Sequence, residues 1–325
     1  KTIESKNYAQ SEVLTDRLDY LNPMGNNLVY CLAVEKLTEL DVPPRAQAIR
    51  VILAELQRIS SHLLWLGTHA LDLGAMSTFL YCMREREIIL DIFETVSGQR
   101  MMTTYIRPGG IWRDVPAEFE AEVRSFLNIM PKRIQMYDDL LYKNELFVDR
   151  TKGIGIISAE DCMRYGLTGP VIRGSGIAHD LRKKQPYMGY EQYDFDVPVF
   201  SEGDVFSRYR VRMEEMTQSL RIVEQALNKL PSGAVRSNNR KYVPPPRSEL
   251  GKSMEALIHH FKLWTEGFQP PAGHVYAATE SPRGELGVYM ESDESAKPYR
   301  VHLVTPSFVN LQAMPLMSRG LYIAD

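Results

Sequence analysis

The sequence has few cysteines and no long apolar run, and these absences exclude several kinds of protein. Among 325 residues the three cysteines, Cys31, Cys82 and Cys162, are widely spaced and form no CxxC pair. This spacing argues against an internal zinc site, an internal iron–sulfur cluster and a disulfide framework, and it makes a reducing compartment the default. No window approaches about 18 uninterrupted apolar residues and no signal peptide is visible, so no membrane-spanning segment is predicted.

Strong net charge and the common catalytic motifs are missing as well. The net charge is -3 at pH 7 and there is no long basic run, which gives no reason to expect nucleic acid as a partner. The RGSG stretch at 173–176 is too short for a phosphate-binding loop, and no GxSxG or HExxH motif occurs. The sequence therefore lacks the motifs of nucleotide-dependent and hydrolytic enzymes.

The pattern of apolar residues predicts a mainly α protein with small β elements, an α+β fold. Helical spacing covers 24–40, 44 to the region 67–74, 77–96, 116–144, 204–230 and 253–267. Glycine- and proline-rich stretches after Thr151 predict irregular structure with short strands, whereas HVYAATE, GELGVYMESD and YRVHLVTP predict a small antiparallel sheet. Asn22-Pro23 should interrupt any helix begun at Thr15.

We expect one intertwined domain over residues 1–325, because helices from both ends of this pattern are predicted to pack together. The composition, with 44% hydrophobic and 24% charged residues, is ordinary for a soluble globular protein. The sequence begins with Lys1 and ends in LYIAD, which reads like the middle of a strand, so we expect further segments at both ends.

Charged and polar residues lie inside apolar helical runs between Thr15 and Gly110. Burying a charge is costly unless it is paired, so this block predicts a polar path or an interface. Arg17 and Tyr20 share a face if their turn is helical, and a tyrosine beside an arginine is a good donor to a carbonyl-like oxygen. A helix cap beside a core tyrosine explains the same spacing.

A second candidate group lies in the run LLWLGTHALDLGA. Thr68 and His69 precede Asp72 by four and three residues, so they can flank it on one helix face, and His62 directly precedes the run. A carboxylate in such an apolar run needs a partner, and beside a histidine it could hold and release a proton near neutral pH. Alternatively, Asp72 caps a turn at Gly74.

Two further motifs and a set of methionines each permit two interpretations. The alternating charges Arg84, Glu85, Arg86 and Glu87 predict either paired buried ions or a solvated face. The ESPRGELG turn at 280–287 either directs an arginine into a cavity or is an ordinary hairpin turn. The methionines are either core residues or part of the lining of an apolar pocket; they are Met76, Met83, Met101 and Met102.

Taken together, these motifs are highly specific to one family. The segments TDRLDYLNPMGNN, PPRAQAIRVILAEL, REREIILDIFE, YIRPGG, GLTGPVIRGSG and ESPRGELGVY closely resemble the 49 kDa subunit of respiratory complex I, which in bacteria is the D-type subunit of NADH–quinone oxidoreductase. The resemblance runs essentially from end to end. It implies a helical bundle similar to the large subunit of nickel–iron hydrogenases, whose metal-binding CxxC pairs are not found in this sequence.

The resemblance implies a quinone headgroup site at the border with a small partner that carries the terminal 4Fe–4S cluster. Tyr20 and Asp72 match the catalytic residues, and Thr68 joins them in quinone binding; the family's N-terminal histidine, which pairs with that aspartate, lies in a loop absent from this sequence. Arg17, Arg100 and Met102 match positions near the cluster. At Met102 many members have a histidine, so a proton-linked potential is not expected here. A charge relay is expected through the residues Arg84, Glu85, Arg86, Glu87, Arg283 and Glu285.

The family's activity is proton-pumping NADH:quinone oxidoreduction in a complex on the cytoplasmic face of a bacterial inner membrane, or the matrix side in mitochondria. No metal is expected to bind to the chain, since NADH, FMN and the clusters lie in other subunits. Expected partners are the small iron–sulfur subunit, the C-type subunit of about 30 kDa and the H-type subunit of the membrane arm. The alternatives are a subunit of a membrane-bound hydrogenase, or of a ferredoxin- or F420-linked oxidoreductase, and a structural scaffold.

Overall fold

The computed structural model describes residues 1–322, and the predicted mainly α fold with small β elements is confirmed. The helices are α1 (Tyr8–Thr15), α2 (Pro23–Thr38), α3 (Pro44–Asp72), α4 (Met76–Ser97), α5 (Phe119–Leu141), α6 (Glu145–Asp149), α7 (Ala159–Arg164), α8 (Pro170–Arg173), α9 (Leu181–Lys184), α10 (Val205–Asn228), α11 (Met254–Thr265), α12 (Pro306–Asn310) and α13 (Met314–Met317). The strands are β1 (Ile106–Arg107), β2 (Gly110–Ile111), β3 (Gly273–Ser281), β4 (Gly284–Ser292) and β5 (Arg300–Val304).

Helix α3 lies at the centre of a helical core and packs against α4 and α10. Its apolar stripe, which includes Ile52, Leu56 and Ile59, is completely buried. Proline suits the first position of α3 because the N–H that it lacks would have no helical partner there. The predicted bounds of this helix are confirmed. None of the helices within residues 1–322 combines the length and the apolarity that crossing a membrane requires.

Helix α2 is buried on nearly every face, because it lies between two cores. Leu28 and Cys31 pack into the helical core, whereas Val29, Tyr30 and Val34 pack against the sheet. A helix without a solvated side has no amphipathic pattern, and its polar residues must find partners inside the protein. Helix α2 therefore contributes to both cores.

The sheet has the strand order β3-β4-β5 and is antiparallel throughout, as predicted. Ser281 pairs with Gly284, so a two-residue turn, Pro282-Arg283, joins β3 to β4. The tip of this hairpin packs tightly: a Cβ on Gly169 would lie 2.4 Å from the Gly284 Cα. Only glycines fit this contact, and it fixes the position of the Arg283 turn.

No helix begins at Thr15, because α1 ends there and 16–21 form a turn. Two expectations for local structure were wrong or lie outside the description. The stretch 151–203 contains no strand; its glycines and prolines form loops and the short helices α7, α8 and α9. The expected strand at LYIAD falls mostly on 323–325, outside the described residues, and Leu321 and Tyr322 are not in a strand.

Candidate functional site

An open cleft lies where the turn between α1 and α2 meets the turn between β3 and β4. Its volume is about 320 Å³, and Asp19, Tyr20, Ser281 and Arg283 are among its lining residues. The Arg283 guanidinium forms an ion pair with the Asp19 carboxylate across it. Both proposed interpretations of the ESPRGELG segment therefore hold, since it is a hairpin turn that also directs its arginine into a cavity.

Tyr20 stands in this cleft and is 61% exposed, so the core-tyrosine interpretation is wrong. Its hydroxyl has no hydrogen-bond partner among residues 1–322 and is free to bind a ligand. Arg17 is also exposed, and its Nη1 donates to the Val13 carbonyl at 2.8 Å. Because 16–21 is a turn, Arg17 and Tyr20 do not share a helix face.

A residue that the sequence did not single out anchors this turn from inside. The Asp16 carboxylate is completely buried and accepts hydrogen bonds from the Thr104 N–H at 3.2 Å and the Thr104 hydroxyl at 2.5 Å. Burial raises the pKa of Asp16, while the bonds from Thr104 and Asn27 oppose the shift. This contact joins the Tyr20 turn to the segment that carries the half-buried Met102.

Thr68 and Asp72 lie at the exposed end of α3 and do not line the cleft at Tyr20. The Thr68 hydroxyl donates to carbonyls of its own helix, with Leu64 at 3.0 Å. Asp72 is exposed and is not enclosed by the apolar residues around it in the sequence. No cap formed by Asp72 is found in the described residues either; the left-handed Gly74, with φ 91°, turns the chain there.

His69 is held between aromatic rings, close to these two residues. It stacks on Trp65 with a centroid distance of 5.3 Å, and Phe147 meets its ring edge-on at 5.8 Å. Burial lowers the pKa of His69 to about 4, with the charge of Arg212 acting in the same direction and that of Asp72 opposing it. The imidazole is therefore neutral at physiological pH.

The alternating charges on α4 divide between the interior and the surface. Glu85 is buried and accepts a hydrogen bond from Tyr137 at 2.5 Å, with Arg84 and Arg133 at its rim at 2.6 and 3.1 Å. Glu87 is exposed and forms an ion pair with Arg100. A buried Arg84–Glu87 pair was therefore a wrong expectation, because each of these residues has another partner and both are exposed.

Two of the remaining predicted residues are Glu285 on the hairpin and Arg86 on α4. The Glu285 carboxylate accepts a hydrogen bond from the Tyr276 hydroxyl at 2.7 Å on the neighbouring strand. Arg86 is half-buried, and its Nε has no hydrogen-bond partner within residues 1–322. Burial lowers the pKa of the Arg86 guanidinium.

The largest polar feature was missed by the sequence analysis. It is a buried network of four carboxylates and three arginines from α3, the segment 173–182, α10 and β3: Glu55, Arg58, Arg173, Asp180, Arg182, Glu215 and Glu280. His62, from the earlier candidate group, contacts it with its Nε2 at 2.8 Å from a Glu215 oxygen. A signal was present, because Glu55, Arg58 and His62 recur every three or four residues on the apolar face of α3.

The three cysteines are all buried and lie apart from the cleft. Burial raises the pKa of each thiol, that of Cys82 to about 12. Within the described part of the chain, no group of three or more histidine, cysteine, aspartate or glutamate side chains is arranged to hold a metal ion.

These features define a mainly helical protein with an open, charge-lined cleft and a buried ionic network. A sequence model of the family described as "Respiratory-chain NADH dehydrogenase, 49 Kd subunit" matches residues 72–325. The second of the D-type subunits of NADH-quinone oxidoreductase from Chloroflexus aurantiacus is 58% identical over 328 residues, covering 100% of this chain and 80% of the relative. Its counterpart from a Roseiflexus species is 60% identical with 79% of the relative covered, and the D-type protein of Geobacter sulfurreducens is 51% identical with 83% covered.

The chain belongs to the family of the 49 kDa subunit of respiratory-chain NADH dehydrogenase, known in these relatives as the D-type subunit of NADH-quinone oxidoreductase. The resemblance found in the sequence is thereby confirmed, as is the class of enzyme complex to which the chain belongs. The relation to hydrogenases, the single domain and the roles of the site residues stay predictions.

Proposed function

We propose that this chain is a peripheral-arm subunit of a proton-pumping NADH:quinone oxidoreductase and that it forms the quinone headgroup site together with an iron–sulfur partner. The observation that carries the proposal is the Tyr20 hydroxyl, which is exposed in a cleft of about 320 Å³ and has no other partner among the described residues. A free phenolic donor in a pocket of this kind suits a carbonyl oxygen.

In this proposal Tyr20 donates a hydrogen bond to one quinone oxygen. Reduction to the quinol takes two electrons and two protons, and negative charge develops on the oxygens before the protons arrive. A donor already aimed at that position stabilises the charge without reorganisation. Arg283 lies in the same cleft, so its ion pair with Asp19 can respond to the new charge.

Thr68 and Asp72 belong to a second part of the proposed quinone site, at the end of α3. Leu71, Met76 and Leu80, exposed by 39%, 62% and 57%, surround this end of the helix with apolar surface. Such a surface suits the apolar part of a quinone, and Asp72 can face a histidine from outside the described residues. The neutral His69 lies on the same helix, three residues before Asp72, and is stacked on Trp65.

Electrons reach the quinone from the 4Fe–4S cluster of the partner subunit, near Arg17, Arg100 and Met102. Exposed guanidiniums such as that of Arg17 favour electron arrival, because a nearby positive charge stabilises the reduced state. A thioether does not titrate, so Met102 gives the cluster no proton-linked potential. NADH and FMN are bound elsewhere in the complex.

The charge change is passed on through ion pairs of this subunit. The proposed relay begins at Arg283 and Glu285 on the hairpin and includes Arg84, Glu85, Arg86 and Glu87 on α4. Glu85 supports this role, because it is buried between Arg84 and Arg133 and can exchange partners. The C-type and H-type subunits are the proposed neighbours, with the chain peripheral to the membrane on its cytoplasmic face.

Tyr20→Phe in the assembled complex tests the headgroup assignment. We expect about a 100-fold loss of quinone reductase activity, the effect of removing one donor from a developing charge, with assembly and cluster reduction unchanged. Tyr299→Phe is the matched control, because Tyr299 is 64% exposed and outside the cleft. Normal turnover in Tyr20→Phe would refute the assignment. Labelling near Tyr20 by a photoaffinity quinone distinguishes the site from a structural scaffold.

A further inference from the structure

The buried network places four carboxylates against three arginines at positions where solvent does not reach. Each of its seven residues is at most 3% exposed. The network connects the centre of α3 to α10 and to Glu280 near the end of β3. The last residue of that strand, Ser281, lines the Tyr20 cleft. A charge imbalance in such a place is not screened by water, so the number of partners at each carboxylate matters.

Three of the carboxylates are well supplied with donors. Glu55 receives Arg58 at 3.1 Å and Arg182 at 3.0 Å, together with the Tyr190 hydroxyl at 2.7 Å. The guanidinium of Arg182 also binds Asp180 through two nitrogens, at 3.0 and 2.6 Å. These bonds and charges outweigh burial, so the pKa of Glu55 is lowered to about 2 and that of Asp180 is also lowered.

Glu215 accepts a hydrogen bond from Arg173 Nε at 2.9 Å, and Arg173 Nη2 lies 2.6 Å from the same carboxylate oxygen. His62 adds a neutral donor, because burial lowers the pKa of His62 to about 4. The charge of Arg173 and the bond from His62 keep the pKa of Glu215 low in spite of burial. His62 therefore contributes a hydrogen bond to the network but no positive charge at neutral pH.

Glu280 is the carboxylate with the fewest partners. It accepts one hydrogen bond from Arg173 at 2.8 Å and one from the Leu181 N–H at 3.2 Å. The same arginine also pairs with Glu215 through Nε and Nη2, and the Asp180 carboxylate adds a negative charge 3.9 Å from Arg173. With all four carboxylates ionised, the three arginines leave one negative charge without compensation.

The other charged and titratable groups around Glu280 are directed elsewhere. Arg58 donates to the Glu280 carbonyl at 2.6 Å, and the Tyr187 hydroxyl accepts from the Glu280 N–H at 3.1 Å. On α10, Arg212 lies over the Trp65 ring at 4.5 Å; its charge acts on Glu215, but it forms no ion pair with Glu280 within residues 1–322. Three further positive charges lie at the margin of the network. Arg208 is bound to backbone carbonyls, Lys183 lies over Phe195, and Arg283 is in the cleft.

We propose that Glu280 carries a proton at neutral pH and that this network is a buried proton-binding site next to the cleft. One added proton makes the network electrically neutral, and Glu280 is the position where the fewest bonds to a carboxylate are lost. Burial raises the pKa of Glu280, the charge of Asp180 acts in the same direction, and Arg173 opposes it.

The site goes beyond the headgroup role of Tyr20 and is independent of it. Because Ser281 and Arg283 follow Glu280 along the chain, a negative charge that enters the cleft favours retention of this proton. Loss of the proton would in turn leave Arg173 shared between two ionised carboxylates, Glu215 and Glu280. The added negative charge would attract Arg283 on the hairpin.

Infrared spectroscopy of the assembled complex at pH 7 tests the proposal, because a protonated carboxyl has a C=O stretch that a carboxylate lacks. We expect Glu280→Gln to lose one deuterium-sensitive carboxylic acid band from the wild-type spectrum. Glu291→Gln, a carboxyl on the partner strand outside the network, should keep that band. An unchanged band in Glu280→Gln would show that Glu280 is ionised and would overturn the proposal.

Asp180→Asn provides a second test that leaves Glu280 in place. This change removes one negative charge, so three carboxylates then face three arginines and the proton is no longer needed. We expect the band of Glu280 to disappear from Asp180→Asn as well, although Asp180 itself was ionised. Persistence of the band in this variant contradicts the charge balance even if Glu280→Gln fails to assemble.

Discussion

Glu12 is a buried carboxyl with almost no partners. Its Oε2 has no hydrogen-bond partner in the described chain, and the nearest cation, Arg107, lies 3.9 Å away. Burial raises the pKa of Glu12 to about 8; Asp16 and Glu35 act in the same direction and Arg107 opposes them. The folded protein therefore keeps a proton that the unfolded chain loses near pH 4.5.

Stability should fall as the pH rises through this interval. The folded state binds the Glu12 proton more tightly, so each pH unit between the two pKa values costs about 1.4 kcal/mol, or about 5 kcal/mol over the whole range. Glu12→Gln should remove this dependence, and thermal unfolding at pH 6 and pH 9 measures it. Glu118→Gln, at an exposed position, is the control. If Glu12→Gln shifts the melting temperature from that of the wild type by the same amount at pH 6 and at pH 9, the prediction is contradicted.

His69 should produce the opposite dependence. Its pKa is lowered to about 4, so between pH 6.5 and 4 the unfolded chain binds a proton that the folded protein does not. Stability is therefore lost as the pH falls, by up to about 3 kcal/mol. His69→Phe keeps the contacts with Trp65 and Phe147 and should be more stable than wild type at pH 5, as measured by thermal unfolding. The exposed His302→Phe should not gain stability in acid.

At the scale of elements, the start of α10 depends on one side chain. The Asp204 carboxylate accepts from the Ser207 N–H at 2.7 Å and from the Gly153 N–H at 2.8 Å, so it caps the helix and ties down a preceding loop. These bonds and the charge of Arg208 lower the pKa of Asp204 against burial.

Asp204→Ala should cost about 1–2 kcal/mol of unfolding free energy, the usual size of an N-cap loss. Chemical denaturation of the wild type and the variant measures this difference. Asp41→Ala, at an exposed position before α3, should change stability by less than about 0.5 kcal/mol. If the two variants are equally stable, the cap does not hold α10.

Helices and the main sheet could be predicted from the sequence because their signals are local. The spacing of apolar residues in α3 and Asp204 before α10 mark elements directly. The stretch 151–203 could not be predicted, since its glycines and prolines allow short helices as well as strands and distant contacts decide between them. The burial of α2 was hidden for the same reason, because both of its faces are covered by segments far away in the sequence.

At the scale of the molecule, the fold brings two of the residues predicted for the site, Tyr20 and Arg283, into one cleft. Tyr20 and Arg283 are 263 residues apart by their numbering, and the motif resemblance linked them to one function before the fold brought them to one cleft. The buried network was not predicted, because a charge in an apolar helix shows that a partner is needed but not which one. Arg58 and Glu280, for example, are separated by 222 positions.

The position of α2 between the two cores also determines how the protein responds to being cut. Much of the segment 231–253 is exposed, and it connects the helical part to the last helices and the sheet, so a protease should cleave there first. Release of the second fragment would expose the sheet-facing side of α2, including Val29, Tyr30 and Val34. The two pieces should therefore remain associated after cleavage, as a noncovalent pair that separates only on denaturation.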